Sequence, residues 1–557
     1  MAETQTHTRQ HPHPMASRLL VAPPPQSAGA PSVWGWCKEA HQEGTRLLQQ
    51  DQNYVAADVN MAYVMGQHAI LAPQITPAYL LPIVVNETRR AYRVHVSALT
   101  DLQPQFEFAC KNPKYQPTAH VLNQYTVAWW LNALVDLDLA DTIRYALACG
   151  SGDTLLEFDP YFMGGEQRAF ARDPRDTIPI QPQRGRDIQE WEGLTLQDEF
   201  PCNRLLAKFP GRTDAIKPSS GALGGVFSRM RPMVLYGQDA MGTGNEPGVV
   251  EILQRRRRQQ NQPMASAACI LYRSFIRDRS INRSGQPIIV GMPGTAWSYK
   301  VEPNAPIYPR GRLVIWTEHG VLFDGPNPFW HRMFPVSRLT PDRYPWSMLG
   351  ASLGADLRGG QDAINRMVNL IMQNFSQHVE RGVTFDPNYP VSDMARFDPR
   401  KRNWKMQKPN RFSAGFQLAE VATLPQWALP FLDNLFSRFE TLSGAQNYAQ
   451  LLQLRQSPSG DTIEKYMNAL TPEIRLEARS VEVYLRDLAT QFKSNLFQFV
   501  TKAKRIQVLG DQGQVLADFD YDPANMVPAL DPKLPDGTPN PEYTPELDKN
   551  KSTEDRA

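Results

Sequence analysis

The chain has 557 residues, 41% hydrophobic and 21% charged, with 59 basic and 57 acidic side chains and a net charge of +2. That length exceeds one ordinary domain, and the near-neutral balance argues against a protein that grips phosphates over its whole surface. No apolar run approaches the ~20 residues that cross a bilayer, the N-terminus "MAETQTHTRQHPHP" lacks the apolar stretch of a secretory signal, and Cys37, Cys110, Cys149, Cys202 and Cys269 form no C-x-x-C pair; no membrane span, zinc site or disulfide framework is expected.

In chain order, residues 1–32 are rich in Pro, Gln and His and read as a flexible arm. Apolar periodicity predicts helices over about 33–50 and 79–99. The alternating stretch "PQFEFAC" reads as a strand with Phe106 and Phe108 on one face. "HVLNQYTVAWWLNALVDLDLADTIRYALACG" predicts one or two helices carrying Trp129 and Trp130, then a turn at Gly150-Ser151-Gly152-Asp153 and the strand "TLLEFDP". Those glycines read as a turn rather than a phosphate loop, since no Gly-Lys-Ser/Thr follows and the order is helix, turn, strand. Residues 160–245 read as loop-rich. A short helical pattern over 247–262 carries Arg255, Arg256, Arg257 and Arg258. Four adjacent residues cover every face of a helix, so the run is a solvated helix end or a charged surface at an oligomer or polyanion contact, not a one-sided stripe.

Residues 267–335 read as β-rich, with strands in "ACILYRSFI", "PIIVGM" and "AWSYKVEP" and a hairpin in "GRLVIWTEHGVLFDG" turning near His319-Gly320. A helix follows to about 378, then loops and short strands over 381–423, then an amphipathic helix over 425–442. The longest periodic signal runs from Ile463 to Phe499 in steps of three and four. One face stays apolar for about 40 residues, a helix of ~60 Å, and Pro472 predicts a kink in it. The chain closes with a hairpin pattern, "RIQVLGDQGQVLADF", and a Pro- and Asp-rich tail over 520–557.

Gly350-Ala351-Ser352-Leu353-Gly354 matches G-x-S-x-G, the pattern of a nucleophile elbow. A hydrolase of that kind needs an acid and then a histidine downstream of the serine. Only His378 follows Ser352, and the acids between them, Asp356 and Asp362, lie in the same predicted helix; His319 and His331 have no supporting motif. There is no H-E-x-x-H, no paired Cys/His spacing and no G-x-G-x-x-G after a strand. No catalytic, cofactor-binding or metal-binding residue is assigned, and the chain is not expected to be an enzyme. Along the helix that follows, Leu357, Ile364, Met367, Val368, Ile371 and Phe375 fall on one face and Asp362, Asn365, Arg366, Asn369 and Gln373 on the other. The amide-rich face suits either a monomer's surface or the wall of a pore.

Three stretches carry a family resemblance. "MFPVSRLTPDRYPWSMLGASLGADLRGGQDAINRMVNLIMQN" resembles the Gly-x-Ser, then Gln-Asp-x-x-Asn-x-x-x-Asn region of portal proteins from tailed bacteriophages. "LSGAQNYAQLLQLRQSPSGDTIEKYMNAL" is similar to their small-residue loop before a very long helix, and "NETRRAYRVHVSALTDLQPQFEFAC" to an early helix-to-strand segment. The resemblance is podovirus-like, spans roughly residues 60–505 and rests on the order and spacing of these stretches.

It implies an α+β, portal-type fold with wing, stem, β-rich clip and crown or C-terminal region, assembled as a homo-oligomeric ring, usually a dodecamer, at one capsid vertex of the virion. Genome packaging and ejection would pass double-stranded DNA through its channel. Large terminase, then head–tail adaptor and tail proteins, would dock on it, beside major capsid and scaffolding proteins, after assembly in the host cytoplasm. Carried onto this sequence, the arm is 1–32, the wing 33–246, a stem helix 247–262, the clip 263–345 and a second stem helix 346–380. Wing material returns over 381–505, with a tunnel loop at about 443–460 and the kinked helix over 461–500; the hairpin and tail occupy 506–557, in place of a helical crown. DNA-channel candidates are Arg255 to Arg258, Asn365, Arg366, Asn369 and Gln373, and in the loop Gln446, Asn447, Gln450, Gln453 and Arg455. The alternatives are another phage head–tail adaptor or tail structural protein, or a serine hydrolase using Ser352.

Overall fold

A computed structural model describes residues 32–66, 68, 83–101, 106–110, 113–181, 187–219, 268–291, 298–344, 347–379, 383–384, 417–418, 423–444, 472–509, 515–526, 529–533 and 549. Helices α1 (Val33–Gln50) and α2 (Gln52–Met65) come first, then α3 (Glu87–Asp101), α4 (Gln116–Asn132) and α5 (Val135–Cys149). Strands β1 (Gly152–Asp159), β2 (Glu166–Arg172), β3 (Thr177–Ile180) and β4 (Gly193–Pro201) lead to the short α6 (Cys202–Lys208). Next are β5 (Ala268–Ile276), β6 (Ile288–Gly291), β7 (Ser298–Val301), β8 (Arg312–Thr317), β9 (Gly320–Pro326) and β10 (Val336–Leu339). Helix α7 (Leu353–Val379), the two-residue strands β11 (Val383–Thr384) and β12 (Gln417–Leu418), α8 (Ala428–Leu442), α9 (Pro472–Phe499), the hairpin β13 (Lys504–Leu509) and β14 (Val515–Tyr521), and α10 (Pro523–Met526) complete the order. The architecture is α+β. Two compact units divide it: Met1–Asp58, Val96–Ser352 and Leu470–Ala557 form one, Val59–His95 and Leu353–Ala469 the other.

The first unit is layered. A five-stranded antiparallel sheet, β3-β4-β5-β8-β9, takes α1 on one face, where Trp36, Cys37 and Ala40 meet Ile180, Tyr272, Ile276 and Trp316. Its other face meets the sheet β10-β1-β2 through Leu155, Leu194, Leu196, Phe275, Leu313 and Val336. Alternation along each strand makes this possible, since successive side chains point to opposite faces. The outer face of the three-stranded sheet carries α5 and α9. There Thr154 shares hydroxyl bonds with Thr142, 2.6 Å away, and Tyr484, 2.8 Å away. On α9, Gln491 donates to the Phe334 carbonyl at 3.1 Å and Gln498 to that of Pro328 at 2.6 Å, so amides fasten the loop between β9 and β10.

Charges link the two sheets. Asp198 on β4 accepts from Arg172 on β2 at 2.5 Å and from Arg273 on β5 at 2.6 Å, and Arg273 continues to Glu157 on β1. Burial pushes the Asp198 carboxyl up, but the Arg273 and Arg172 guanidiniums outweigh it and hold it at about 2.

This arrangement revises several sequence expectations. Residues 160–201 contain β2, β3 and β4 rather than loops alone. The β-rich stretch holds β5 to β9, and β5, β8 and β9 share a sheet with β3 and β4. The early helix starts at Glu87, not near 79, because Asn86 caps it: its Oδ1 accepts from the Arg89 N–H at 2.8 Å. Phe106 and Phe108 lie in a segment that pairs with no strand among the described residues; the Asn123 amide accepts from the Phe108 N–H at 2.7 Å and donates to its carbonyl at 3.2 Å. A side chain there does the work of a neighbouring strand.

Candidate functional site

Gly350 has φ +78, and a Cβ on it would lie 2.5 Å from both the Asp342 carbonyl and the Thr340 methyl. Gly150, with φ +94, faces it: a Cβ there would lie 2.7 Å from the Leu349 and Gly350 carbonyls. Both positions therefore require glycine. The two glycine motifs that look like active-site loops are two sides of one close backbone contact. Ser352 is buried, and its hydroxyl donates to the Leu147 and Ala148 carbonyls at 3.2 and 2.7 Å, at the C-terminal end of α5. It satisfies orphan carbonyls of a helix end.

Burial weakens two histidines of this unit, His331 and His41, as bases. The Nδ1 of His331 accepts from the Met333 N–H at 2.9 Å, and burial lowers the pKa of the ring to about 4. His41 packs edge-on against Tyr272 and Trp316, and burial lowers it likewise to about 4. A fluorophosphonate probe is expected to leave Ser352 unlabelled in the folded protein, read by mass spectrometry of the peptide; labelling there would restore the hydrolase reading.

In the second unit, α7 carries the polar face that the sequence suggested for a pore. The structure gives its amides other work. Asn369 accepts from the Ile83 N–H and donates to the Ile83 carbonyl, both at 2.8 Å. One turn earlier, Asn365 accepts from the Val85 N–H at 3.1 Å. A further turn back, Gln361 donates to the Val85 carbonyl at 2.6 Å and accepts from the Thr88 N–H and hydroxyl at 2.9 and 3.0 Å. Spaced by four residues, the three amides lie on one helical stripe and clasp residues 83–88 as an adjacent strand would.

Neighbouring bonds stiffen the clasp. Asn365 donates to His68 Nδ1 at 2.8 Å while His68 Nε2 donates to the Tyr63 carbonyl at 2.7 Å, which fixes a neutral ring; burial lowers its pKa. The Tyr63 hydroxyl donates to Asp362 at 2.5 Å, and Arg358 donates to Asn60 at 2.5 Å. Near the middle of α3, His95 bonds the Ser443 carbonyl at 2.7 Å. Helix α7 approaches α8 closely at Gly360, where a Cβ would lie 3.1 Å from the Phe439 ring.

Of the sequence-predicted channel residues, Asn365 and Asn369 are half-buried and bond the backbone of Ile83 and Val85 within the same unit. Arg366 is exposed and Gln373 half-buried on the same helix. Arg255, Arg256, Arg257 and Arg258, and Gln446, Asn447, Gln450, Gln453 and Arg455, lie outside the described residues. Pro472 is the first residue of α9 as described; residues 461–471 lie outside, and so does the predicted kink. Gln361 opens the Gln-Asp-x-x-Asn stretch but is not among the channel candidates; its place one turn before Asn365 is the signal of the shared stripe. Among the described residues no cluster of His, Cys, Asp and Glu could hold a metal ion, and no helix is long and apolar enough to cross a membrane. No protein-family model matches the chain, and no curated protein matches it significantly.

Proposed function

We propose that the chain is a portal-type subunit: it assembles into a ring at one vertex of a tailed-phage capsid and conducts duplex DNA during packaging and ejection. One observation carries this reading. The three stretches that resemble portal proteins lie well apart in the chain, yet parts of them meet in the second unit: "NETRRAYRVH" is bonded by "QDAIN" through Thr88 and Gln361, and by "LSG" through His95 and Ser443. A shared set of sequence signals that converges on one structural knot favours common architecture over coincidence. On this reading terminase, adaptor, scaffolding and capsid proteins are the partners, and the virion is where the protein resides.

Incomplete burial of the second unit points the same way. Leu370 (43% exposed), Met372 (46%) and Phe375 (49%) on α7, Trp427 (63%) just before α8, and Leu429 (52%) and Phe431 (47%) on it leave much apolar surface in water. At roughly 200 Å² per large side chain they offer on the order of 500 Å² of apolar area. A standard interface takes ~800 Å² per partner, polar rim included. We assign this area to a second copy of the chain. Electron microscopy of the purified protein is expected to show rings with a central channel, and Phe431→Asp combined with Trp427→Asp is expected to shift the population to folded monomers. A chain that stays monomeric under all conditions would overturn the proposal.

A further inference from the structure

We infer that the exposed arginine row of α3, Arg89 and Arg93 with Arg90 beside them, is a contact for the phosphate backbone of duplex nucleic acid. The clasped helix α3 buries Thr88, Ala91, Tyr92 and His95 and turns Arg89, Arg90 and Arg93 to the surface. Arg90 is held by Glu440 at 2.8 Å and by Glu87 at 3.4 Å. Arg89 and Arg93, one turn apart, have no side-chain partner among the described residues. Residues four apart on a helix stand ~5–6 Å from each other at Cβ, so their two guanidinium forks face outward side by side.

Their position on the helix adds to the argument. All three arginines fall in the first two turns of α3. Cations near a helix N-terminus oppose the macrodipole and cost stability, whereas an anion there is favoured by dipole and arginines together. The row also lacks what a protein partner would use. No residue of α3 is among the large apolar side chains left exposed, so the face has no apolar centre of the kind protein interfaces build around. A charged, apolar-free row on a helix anchored at its start by Gln361 and at its middle by Ser443 suits sequence-independent phosphate contact.

The portal reading is used only to choose duplex DNA as the polymer. The test measures binding of the full-length protein to a fluorescein-labelled duplex of arbitrary sequence, by anisotropy, across about 50–200 mM salt. For Arg89→Ala/Arg93→Ala the slope of log affinity against log salt is expected to become shallower by about 1.8, from two lost phosphate contacts at ~0.9 each. Arg89→Lys/Arg93→Lys keeps the charge and is expected to keep the slope. An unchanged slope in the alanine variant, with its melting temperature intact, overturns the inference, as does a wild-type protein that does not bind. Loss of binding to a polyglutamate peptide but not to DNA would assign the row to an acidic protein and overturn it too. Rings without a slope change would sink this site alone; a slope change without rings would sink the portal reading alone.

Discussion

Replacing Asp198 by alanine is expected to cost about 3–5 kcal/mol and to leave the sheet-bearing unit largely unfolded near its normal melting temperature. Among the described residues the carboxylate pairs with Arg172, which is buried, and with Arg273, which is nearly so and also pairs with Glu157. Removing it strands positive charge between two sheets, and that loss is far larger than the net worth of the intact cluster. The pH dependence has a defined sign. A carboxyl held at about 2 in the folded chain and near its ordinary value when unfolded adds stability that is complete above about pH 4 and fades as the pH falls towards 2. Thermal melts of wild type should decline over that window, and the Asp198→Asn variant should show a flatter decline. A variant that melts like wild type at neutral pH would mean the cluster carries no such burden.

Gln361→Leu is expected to cost about 2–4 kcal/mol, concentrated in the second unit. Leucine keeps the volume but leaves the Thr88 N–H and the Val85 carbonyl without their partner, and each buried group stranded in this way costs roughly 1–3 kcal/mol. The amide protons of residues 83–95 should lose hydrogen-exchange protection while those of β4 and β5 keep theirs. Asn369→Ala, at the exposed end of the clasp, should do less, about 1 kcal/mol. Equal protection over 83–95 in the Gln361 variant and wild type would show that apolar packing alone holds α3.

The sequence read well where its signals are local. The helices at Val33–Gln50 and Ala428–Leu442 and the hairpin closed by Thr317 and Gly320 follow from apolar period and turn chemistry. It read poorly where polar residues are inside. β2 and β4 escaped because Gln167, Arg172 and Asp198 break their alternation, and those are the side chains the folded core pairs with one another or with backbone. The same inversion hides the intramolecular partners of α7. Asn365 and Asn369 look like a solvent face in a helical projection, but their partners are the backbone of Ile83 and Val85, 280 or more residues away. Periodicity cannot see a polar surface whose partner is another piece of chain. Ser352 is a related case: the pattern around it is real, but Gly350 is required by its close approach to Asp342 and Thr340, and that contact is invisible before folding.

The clasp also sets a timetable. Ile83 and Asn369 are 286 residues apart, and synthesis at ~5–20 residues per second separates their emergence by roughly 15–60 s. The hairpin of β1 and β2 can pair at once, whereas α3 waits, amphipathic and without its partner, until α7 has been made. During that interval its apolar side is the kind of surface that chaperones hold and neighbouring chains capture. The exposed faces of α7 and α8 come later still. A nascent chain thus cannot present the surface through which copies would associate until most of it exists, and truncated products lack that surface altogether.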